Sequence, residues 1–463
     1  MAQTMKGEGS ARLKIAYLGG GSRGWARMLM QDLALCPLLS GDVYLYDINL
    51  EAARLNAELG EWVQTRPEAV SEWRYHAVPT IEEALRGADF VICSVQPGPL
   101  QAMERDLGIP ARYGLIYPVG DTVGAPGLVR GLRAALIYED FARRIAELCP
   151  DAWVINYTNP MTICTRTLTR VEPGLNVFGC CHEVFGTQAL LAELVERYLE
   201  VPAPDRREIA VNVLGINHFT WIDRADYDGH DLLDLVRHHM AQEGVMRPYS
   251  REEVLSWEDY FACAHQVKYH LMQWYGILPA AGDRHLAEFV PGFLIDEETA
   301  YRYGFSLTPM SYRYARWEEA PAQTRAIMAG DESVTLKPSG EEGVAQMCAL
   351  LGLGDMVTNC NLPNIGQMPD LSADVVVETN AHFSRDSVRP LAAGYLPEGV
   401  LDLIEPHVRH QEMIVEAALT RDADLAFQAV FGDPLTHLPI DRARAMFSEM
   451  LEATKEYLPG FDL

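Results

Sequence analysis

Cys181 and His218 are the residues in the middle of this chain best suited to chemistry. Cys181 and His182 follow a short apolar run, Asn176 to Gly179, that reads as the end of a strand. His218 follows a second β-rich run, Ile209 to Gly215. A thiolate and a neutral imidazole at the ends of two buried strands are ordinary ligands for one divalent cation. The same pair could equally be a small buried hydrophobe and a hydrogen-bonded core histidine. On their own these residues leave both readings open. A second chemical signature lies near the N-terminus, where Gly19, Gly21 and Gly24 fit G-x-G-x-x-G and Ser22 sits in the same turn. Glycines there let the backbone approach a pyrophosphate, and the following helix presents its N-terminus to the anion. Asp47, 23 residues after Gly24, can accept from an adenosine ribose hydroxyl.

The elements that must position these groups alternate regularly. Leu13 to Leu18 is a short apolar strand running straight into the glycines, Trp25 to Leu35 an amphipathic helix, and Val43 to Tyr46 a strand ending at Asp47. Helix over Ile81–Arg86, strand over Asp89–Val95, a long helix over Gly127–Leu148 and strand over Trp153–Asn156 continue the series. Continuous apolar strands alternating with helices predict an α/β fold: a Rossmann-like, doubly wound parallel sheet. Ligands on such sheets bind at the carboxyl ends of strands. Gln96, Asn156, Asn159 and Cys181 all follow strand ends, so one crevice can collect them. Asn159 has a plain alternative as a turn residue before Pro160.

Past about residue 200 the pattern loosens. Asp231–Gln242, Trp257–Trp274, a stretch from Ser339 to Leu353, and 398–431 with 440–456 read as helices, and Asp374–Glu378 as a strand. Residues 310–335 are charged and without period, and are expected to be irregular. The chain therefore divides into a nucleotide-binding unit over 1–200 and a second, α+β unit over 201–463. No linker separates them, so the second unit is expected to interweave with the first in the manner of lactate and malate dehydrogenases.

Composition narrows the partners. The 463 residues carry 38 Lys plus Arg against 65 Asp plus Glu, a net charge of -27. Such a surface repels nucleic acid and anionic membranes, and admits a small anionic substrate only where local arginines overrule the field. Nine scattered cysteines do not make a disulfide framework and fit a reducing cytoplasm. Residues 1–12 lack an apolar leader segment, and no apolar run approaches a membrane span.

Taken together, GGGSRGW (19–25), LYDIN (45–49), DTVGAPG (121–127), INYTNP (155–160), GCCHEVFGTQ (179–188) and GINHFTW (215–221) resemble glycoside hydrolase family 4. AAGDRHLAEFVPG (280–292), GEEGV (340–344) and LPNIGQMPDL (362–371) extend the likeness, and the pattern is most similar to the family's bacterial α-galacturonidases. The resemblance implies tightly held NAD, a divalent metal (usually Mn2+), and a homodimer or homotetramer acting on a small glycoside, here a galacturonide from pectin. It implies a route outside the usual two-carboxylate scheme of glycosidases. Hydride leaves C3 for NAD, the resulting ketone acidifies C2–H, the leaving group departs by elimination, and water and hydride then return.

Residue by residue, the resemblance makes Cys181 and His218 metal ligands, Asn159 a contact to substrate hydroxyls, and Asp121 a neighbour of the metal. His182 stands where phospho-glucosidase relatives have an aspartate acid, and an imidazole can protonate a leaving oxygen near neutral pH. Where phospho-glycosidases use a tyrosine base, this chain offers Asp283 or His285, with Asp283 preferred. A salt-bridged loop of Asp283 and Arg284 is the plainer alternative. No arginine stands at the phospho-sugar clamp, so an unphosphorylated sugar is expected, with Arg284 a bidentate partner for a uronate carboxylate unless Glu288 takes it. An α-glucosidase or α-galactosidase of the same family is the nearest alternative. A lactate/malate-type dehydrogenase and a non-catalytic nucleotide-binding regulator are the readings from other classes.

Overall fold

A computed structural model describes residues 12–332 and 334–462. Most of the stretch on which the absence of a leader was read, residues 1–11, lies outside them. Six parallel strands form the N-terminal part of the main sheet: β1 (Leu13–Leu18), β2 (Gly41–Tyr46), β3 (Trp73–Val78), β4 (Phe90–Cys93), β5 (Trp153–Asn156) and β6 (Asn176–Gly179), in the order β3-β2-β1-β4-β5-β6. The order reverses between β1 and β4, which opens a crevice at their carboxyl ends. Burial alternates to both faces. Ile15, Tyr17, Phe90 and Ile92 pack under one helical layer, and Ala16, Leu18, Val91 and Cys93 under the other. Strands β1 and β4 carry near-continuous apolar runs because helices cover both faces of the sheet at its centre.

The second unit begins with a small antiparallel sheet of β7 (Ala210–Ile216), β8 (Phe219–Tyr227), β9 (His230–Asp231) and β10 (Leu278–Pro279). Strands β7 and β8 pair Ile216 with Phe219, so Asn217 and His218 form a two-residue hairpin turn. Gly215 enters it at φ +135, and a side chain there would strike the Phe219 carbonyl. Strands β11 (Met356–Pro363), β12 (Val376–Ser384) and β13 (Ser387–Pro390) then add antiparallel to β6, making one nine-stranded sheet from residues on both sides of position 200. The long helices Gly124–Leu148 and Glu398–Thr420 pack together in the largest core.

Two expectations need correction. Residues Met310–Ala329 form a 20-residue helix rather than irregular chain. Only Ile327 on it is buried, so it carries no apolar stripe from which a helical period could be read. The helix expected over Trp257–Trp274 spans only Gln266–Tyr275. His265, at φ 57, turns the chain just before it. No helix among the described residues is long and apolar enough to cross a membrane.

Candidate active site

The glycine turn is built as its spacing predicts. Gly19, at φ +92, has no room for a Cβ, which would lie 2.0 Å from the Ser94 carbonyl oxygen at the end of β4. Gly19 and Gly20 donate to the Tyr46 carbonyl at 2.9 and 2.8 Å, and Ser22 N–H to Gly19 O at 2.9 Å. Asp47 anchors the turn by accepting from Gly21 N–H at 2.9 Å and Asn49 N–H at 2.8 Å. A Cβ on Gly24 would meet nothing within 4 Å, so this third glycine leaves space over the start of the helix Trp25–Leu35.

Across the crevice, Asp121, His218 and His285 present ligand atoms all within 4.8 Å of one another. Thr122 connects two of them: its hydroxyl donates to Asp121 Oδ1 at 2.8 Å and lies 2.9 Å from His218 Nδ1. With its one proton given to a carboxylate, that oxygen can only accept from Nδ1–H. His218 is thereby fixed with the lone pair of Nε2 free. Burial pushes its imidazole down to about 4, and His285 pushes the same way against Glu183 and Asp121, so it stays neutral. The His285 ring stacks on it with centroids 4.1 Å apart. His285 Nε2 lies 3.7 Å from Glu183 Oε1, while its Nδ1 is buried without a partner. Burial raises the Asp121 carboxyl, but His285, His218 and Arg130 outweigh it and hold the group well below the usual carboxylate range. Burial raises Glu183 as well, but His285, His218, the Gly282 N–H and His182 outweigh it and bring it to about 2.

Cys181 lies in this neighbourhood but does not join the three-residue group at ligand spacing. Its thiol is held well above its ordinary value by burial and by the charges of Glu378 and Glu183, both of which also act on His218. Glu378, itself buried, accepts from Asn217 at 3.0 Å and Asn359 at 2.7 Å. A buried thiol and a neutral imidazole with a free lone pair, both acted on by the Glu378 and Glu183 carboxylates, make a donor set short of positive charge. The buried, unpartnered Oδ1 atoms of Asn217 and Asn159 add to that deficit, so the residues fit a divalent cation. Asn159 donates to Asp121 Oδ2 at 3.3 Å, and Arg130 spans from Asn159 O (3.1 Å) to Gln96 Oε1 (3.2 Å). Gln96, Asn159, Asp121 and His218 thus share one crevice.

His182 stands just before the helix Glu183–Leu199 without a side-chain bond to it, half exposed beside the Trp25 ring. Its Nδ1 is 3.2 Å from Glu341 Oε1, and that contact holds its proton above the ordinary histidine range. Asp283 is placed elsewhere. Its oxygens accept from Val267 N–H (3.2 Å) and Lys268 N–H (3.0 Å) at the start of the helix Gln266–Tyr275, in a group with Cys263 and His265. No ion pair joins it to Arg284, as the plainer reading had supposed; Arg284 instead donates to Pro118 O at 3.1 Å and to Thr308 Oγ1.

Sequence reasoning missed Thr122, Arg130, Glu183, Glu378 and Arg313, the last of which donates from Nη2 to Val119 O at 3.3 Å, next to the Pro118 carbonyl that Arg284 holds. Thr122 and Glu183 sit within motifs already singled out, beside Asp121 and His182, and adjacency could have found them. Arg130, Arg313 and Glu378 come from helices and a strand whose role only the tertiary structure shows.

Fold and site together define a doubly wound α/β protein of the dinucleotide-crevice class, with a hairpin from its second unit closing the crevice. The Family 4 glycosyl hydrolase model matches residues 14–197, and that of the Family 4 glycosyl hydrolase C-terminal domain matches 213–436. The chain is 48% identical over 453 residues to an alpha-galacturonidase of Thermoanaerobacter italicus, covering 97% of this chain and 98% of the relative. A crystal structure of a putative glucosidase from Bacillus subtilis superposes with a TM-score of 0.90 at 47% identity, over 95% of this chain and 100% of that one. A 6-phospho-alpha-glucosidase from gut microorganisms, in complex with NAD and Mn2+, shares the fold with a TM-score of 0.79 at 20% identity, covering 98% and 100%. The chain belongs to family 4 of the glycosyl hydrolases. It is a glycosidase, and the dehydrogenase and regulator readings are set aside.

Proposed function

We propose that this enzyme hydrolyses α-galacturonides, of the kind released from pectin, with NAD and a divalent cation, manganese, that are not consumed. The observation that carries the proposal is the linked set Asp121, Thr122, His218, His285 and Glu183, poised over the carboxyl ends of β4 to β6. The 48% identity to an alpha-galacturonidase supports the sugar, and the NAD and Mn2+ of the 6-phospho-alpha-glucosidase support the cofactors. When bound, NAD supplies a reversible hydride acceptor for C3 and the cation a Lewis acid for the oxygens on C2 and C3.

This chain's residues do the rest. Gly19, Gly21, Ser22, Gly24 and Asp47 hold the dinucleotide at the reversal of strand order, with Gln96 and Asn159 bordering it. Cys181 and His218 hold the cation, His218 aimed by Thr122, and Asp121 steadies that side through Asn159 and Thr122. Asn159 Oδ1, left without a protein partner, accepts from a substrate hydroxyl. His285 removes the C2 proton. Its buried Nδ1 has no other partner, whereas the Asp283 oxygens are already taken by backbone N–H groups. His182, kept protonated by Glu341, delivers a proton to the departing C1 oxygen. The enzyme assembles as a homodimer or homotetramer, and the exposed side chains of Trp274, Ile365 and Tyr395 are available to such contacts; light scattering showing a monomer would end that part. Nine free cysteines suit a reducing, cytoplasmic setting.

Incubation with p-nitrophenyl α-galacturonide, trace NAD, Mn2+ and a thiol reductant should release nitrophenol. Release that persists in EDTA, or without NAD in cofactor-stripped enzyme, would count against the proposal. In D2O the product should carry deuterium at C2; an unlabelled C2 excludes the elimination route.

A further inference from the structure

A chain with a net charge of -27 repels an anionic sugar unless its pocket reverses the field locally. The segment Pro118–Gly120 shows how the reversal is built. Arg284 Nη2 donates to Pro118 O at 3.1 Å, and Arg313 Nη2 donates to the next carbonyl, Val119 O, at 3.3 Å. The same segment is pinned from its other side, where Val119 and Gly120 N–H donate to Glu288 Oε1 at 2.7 and 2.8 Å. Two guanidiniums are therefore fixed on successive carbonyls of one anchored strand of chain, and the next residue is Asp121 of the catalytic cluster.

Both guanidiniums remain short of acceptors. The Nε atoms of Arg284 and Arg313 are each buried with no hydrogen-bond partner. Among the described residues neither has a carboxylate within ion-pair distance, unlike the buried Arg133, which Asp106 satisfies with both oxygens. Arg284 is only 7% exposed, with the Phe261 ring 4.9 Å from its carbon, so water does not readily fill the deficit. Burial raises the Glu288 carboxyl to about 8, and its Oε1 is already taken by the Val119 and Gly120 N–H groups, so it makes no direct ion pair with either guanidinium. Arginine keeps its charge under these conditions, and a buried charge without a counter-ion is costly. A planar anion that fits two forks removes the cost.

Resting on the galacturonide reading above, we propose that Arg284 and Arg313 together form the receptor for the carboxylate carried on C5 of the sugar, and that Arg313 is a determinant of uronide over neutral hexoside. Arg130, the third arginine near Asp121, also keeps a buried Nη1 without a partner, but its Nε and Nη2 hold Asn159 O and Gln96 Oε1 on the cofactor side of the crevice, away from Pro118–Gly120. The geometry separates functions: hydroxyl and C2 chemistry at Asp121, His218 and His285, and carboxylate recognition at 284 and 313.

The test uses the full-length enzyme with NAD and Mn2+, comparing wild type with Arg313→Gln and Arg313→Lys. Two readouts are taken: kcat/KM for p-nitrophenyl α-galacturonide against p-nitrophenyl α-galactoside, and calorimetric affinity for free galacturonate against galactose. For Arg313→Gln the uronide-to-galactoside ratio and the galacturonate affinity should both fall about 10- to 100-fold, through KM rather than kcat, as expected for loss of a charged hydrogen bond. Arg313→Lys should recover part of the affinity, because it restores the charge without the fork. An unchanged ratio, or equal losses on both sugars, overturns the receptor while wild-type galacturonide cleavage leaves the functional reading intact. A wild type that neither cleaves the galacturonide nor binds galacturonate brings down both. Thermal melts of the two variants separate these results from misfolding.

Discussion

Among the described residues two groups place histidine with carboxylate at metal-ligand spacing: Asp121, His218 and His285 in the crevice, and Cys263, His265 and Asp283, the last from the same motif as His285. By residue type the second is the better metal site, since it contains a thiol. Its hydrogen bonds say otherwise. Both Asp283 oxygens accept backbone N–H groups at a helix start, and the nearby Lys268 ammonium donates to Thr187 Oγ1, Pro279 O and Ala281 O. The crevice group instead leaves His285 Nδ1 and Asn159 Oδ1 buried and unpaired, and frees His218 Nε2 by engaging Nδ1. The group proposed to act differs from the other in what its protein partners leave over, rather than in composition.

The sharpest way to break the contrast is to exchange outcomes between the groups. His285→Gln should lower turnover of the galacturonide by about 10²- to 10⁴-fold, the range of a lost general base, with the melting temperature nearly unchanged. Equal activity in this variant would return the base to another residue. Asp283→Ala should do the reverse. It orphans two buried N–H groups and leaves the buried Lys268 without its nearest negative charge, costing on the order of 3–5 kcal/mol of stability. Protein that remains folded should keep its kcat; a folded variant without turnover would restore Asp283 to the chemistry.

The same carboxyl gives the contrast a pH axis. Burial raises Asp283 to about 6, above the roughly 3.9 of an unfolded chain. The folded protein holds this proton more tightly, so its stabilising contribution is complete below about pH 4 and is lost as pH rises through about 6. Asp283→Asn cannot titrate. The advantage of wild type over that variant in thermal melts should therefore narrow between pH 4 and pH 7; a widening gap would mean that the carboxyl is held ionised.

Much of this was legible in the residues themselves. The strands Leu13–Leu18, Trp153–Asn156 and Asn176–Gly179 form where their apolar runs place them, because a sheet buried on both faces writes itself as continuous hydrophobic sequence. Gly19 and Asp47 were readable for a similar reason: steric demand and a fixed spacing leave few substitutes. What stayed hidden depends on contacts between distant segments. Asp283 in GDRH looks like a free carboxylate until the helix Gln266–Tyr275 is seen to start on it. Arg313 lies on a helix with a single buried side chain, which offers no period to read.

A smaller effect sharpens the comparison within the crevice. Thr122→Val removes the group that fixes the His218 tautomer while keeping its volume. Loss of such an orienting partner should weaken Mn2+ binding about 10- to 100-fold by metal titration, with NAD affinity unchanged. Metal affinity equal to wild type would mean that the His218 ring is held by its stacking on His285 alone.

The smallest expected change comes from the thiol of the other group. Cys263 is part-buried, 3.8 Å from His265 Nδ1, and burial raises its thiol to about 12, so it remains protonated and behaves as a small hydrophobe with a weak donor. Cys263→Ala removes one sulfur and no charge. It should cost about 1 kcal/mol of stability, near the median for a single substitution, and leave both Mn2+ affinity and turnover within twofold of wild type. Cys181→Ser, a gentler change on paper, should abolish turnover while NAD binding persists, because Cys181 is one of the two proposed holders of the cation. If the two cysteine variants behaved alike in metal titration, the accounting of leftover partners would have failed to tell one group from the other.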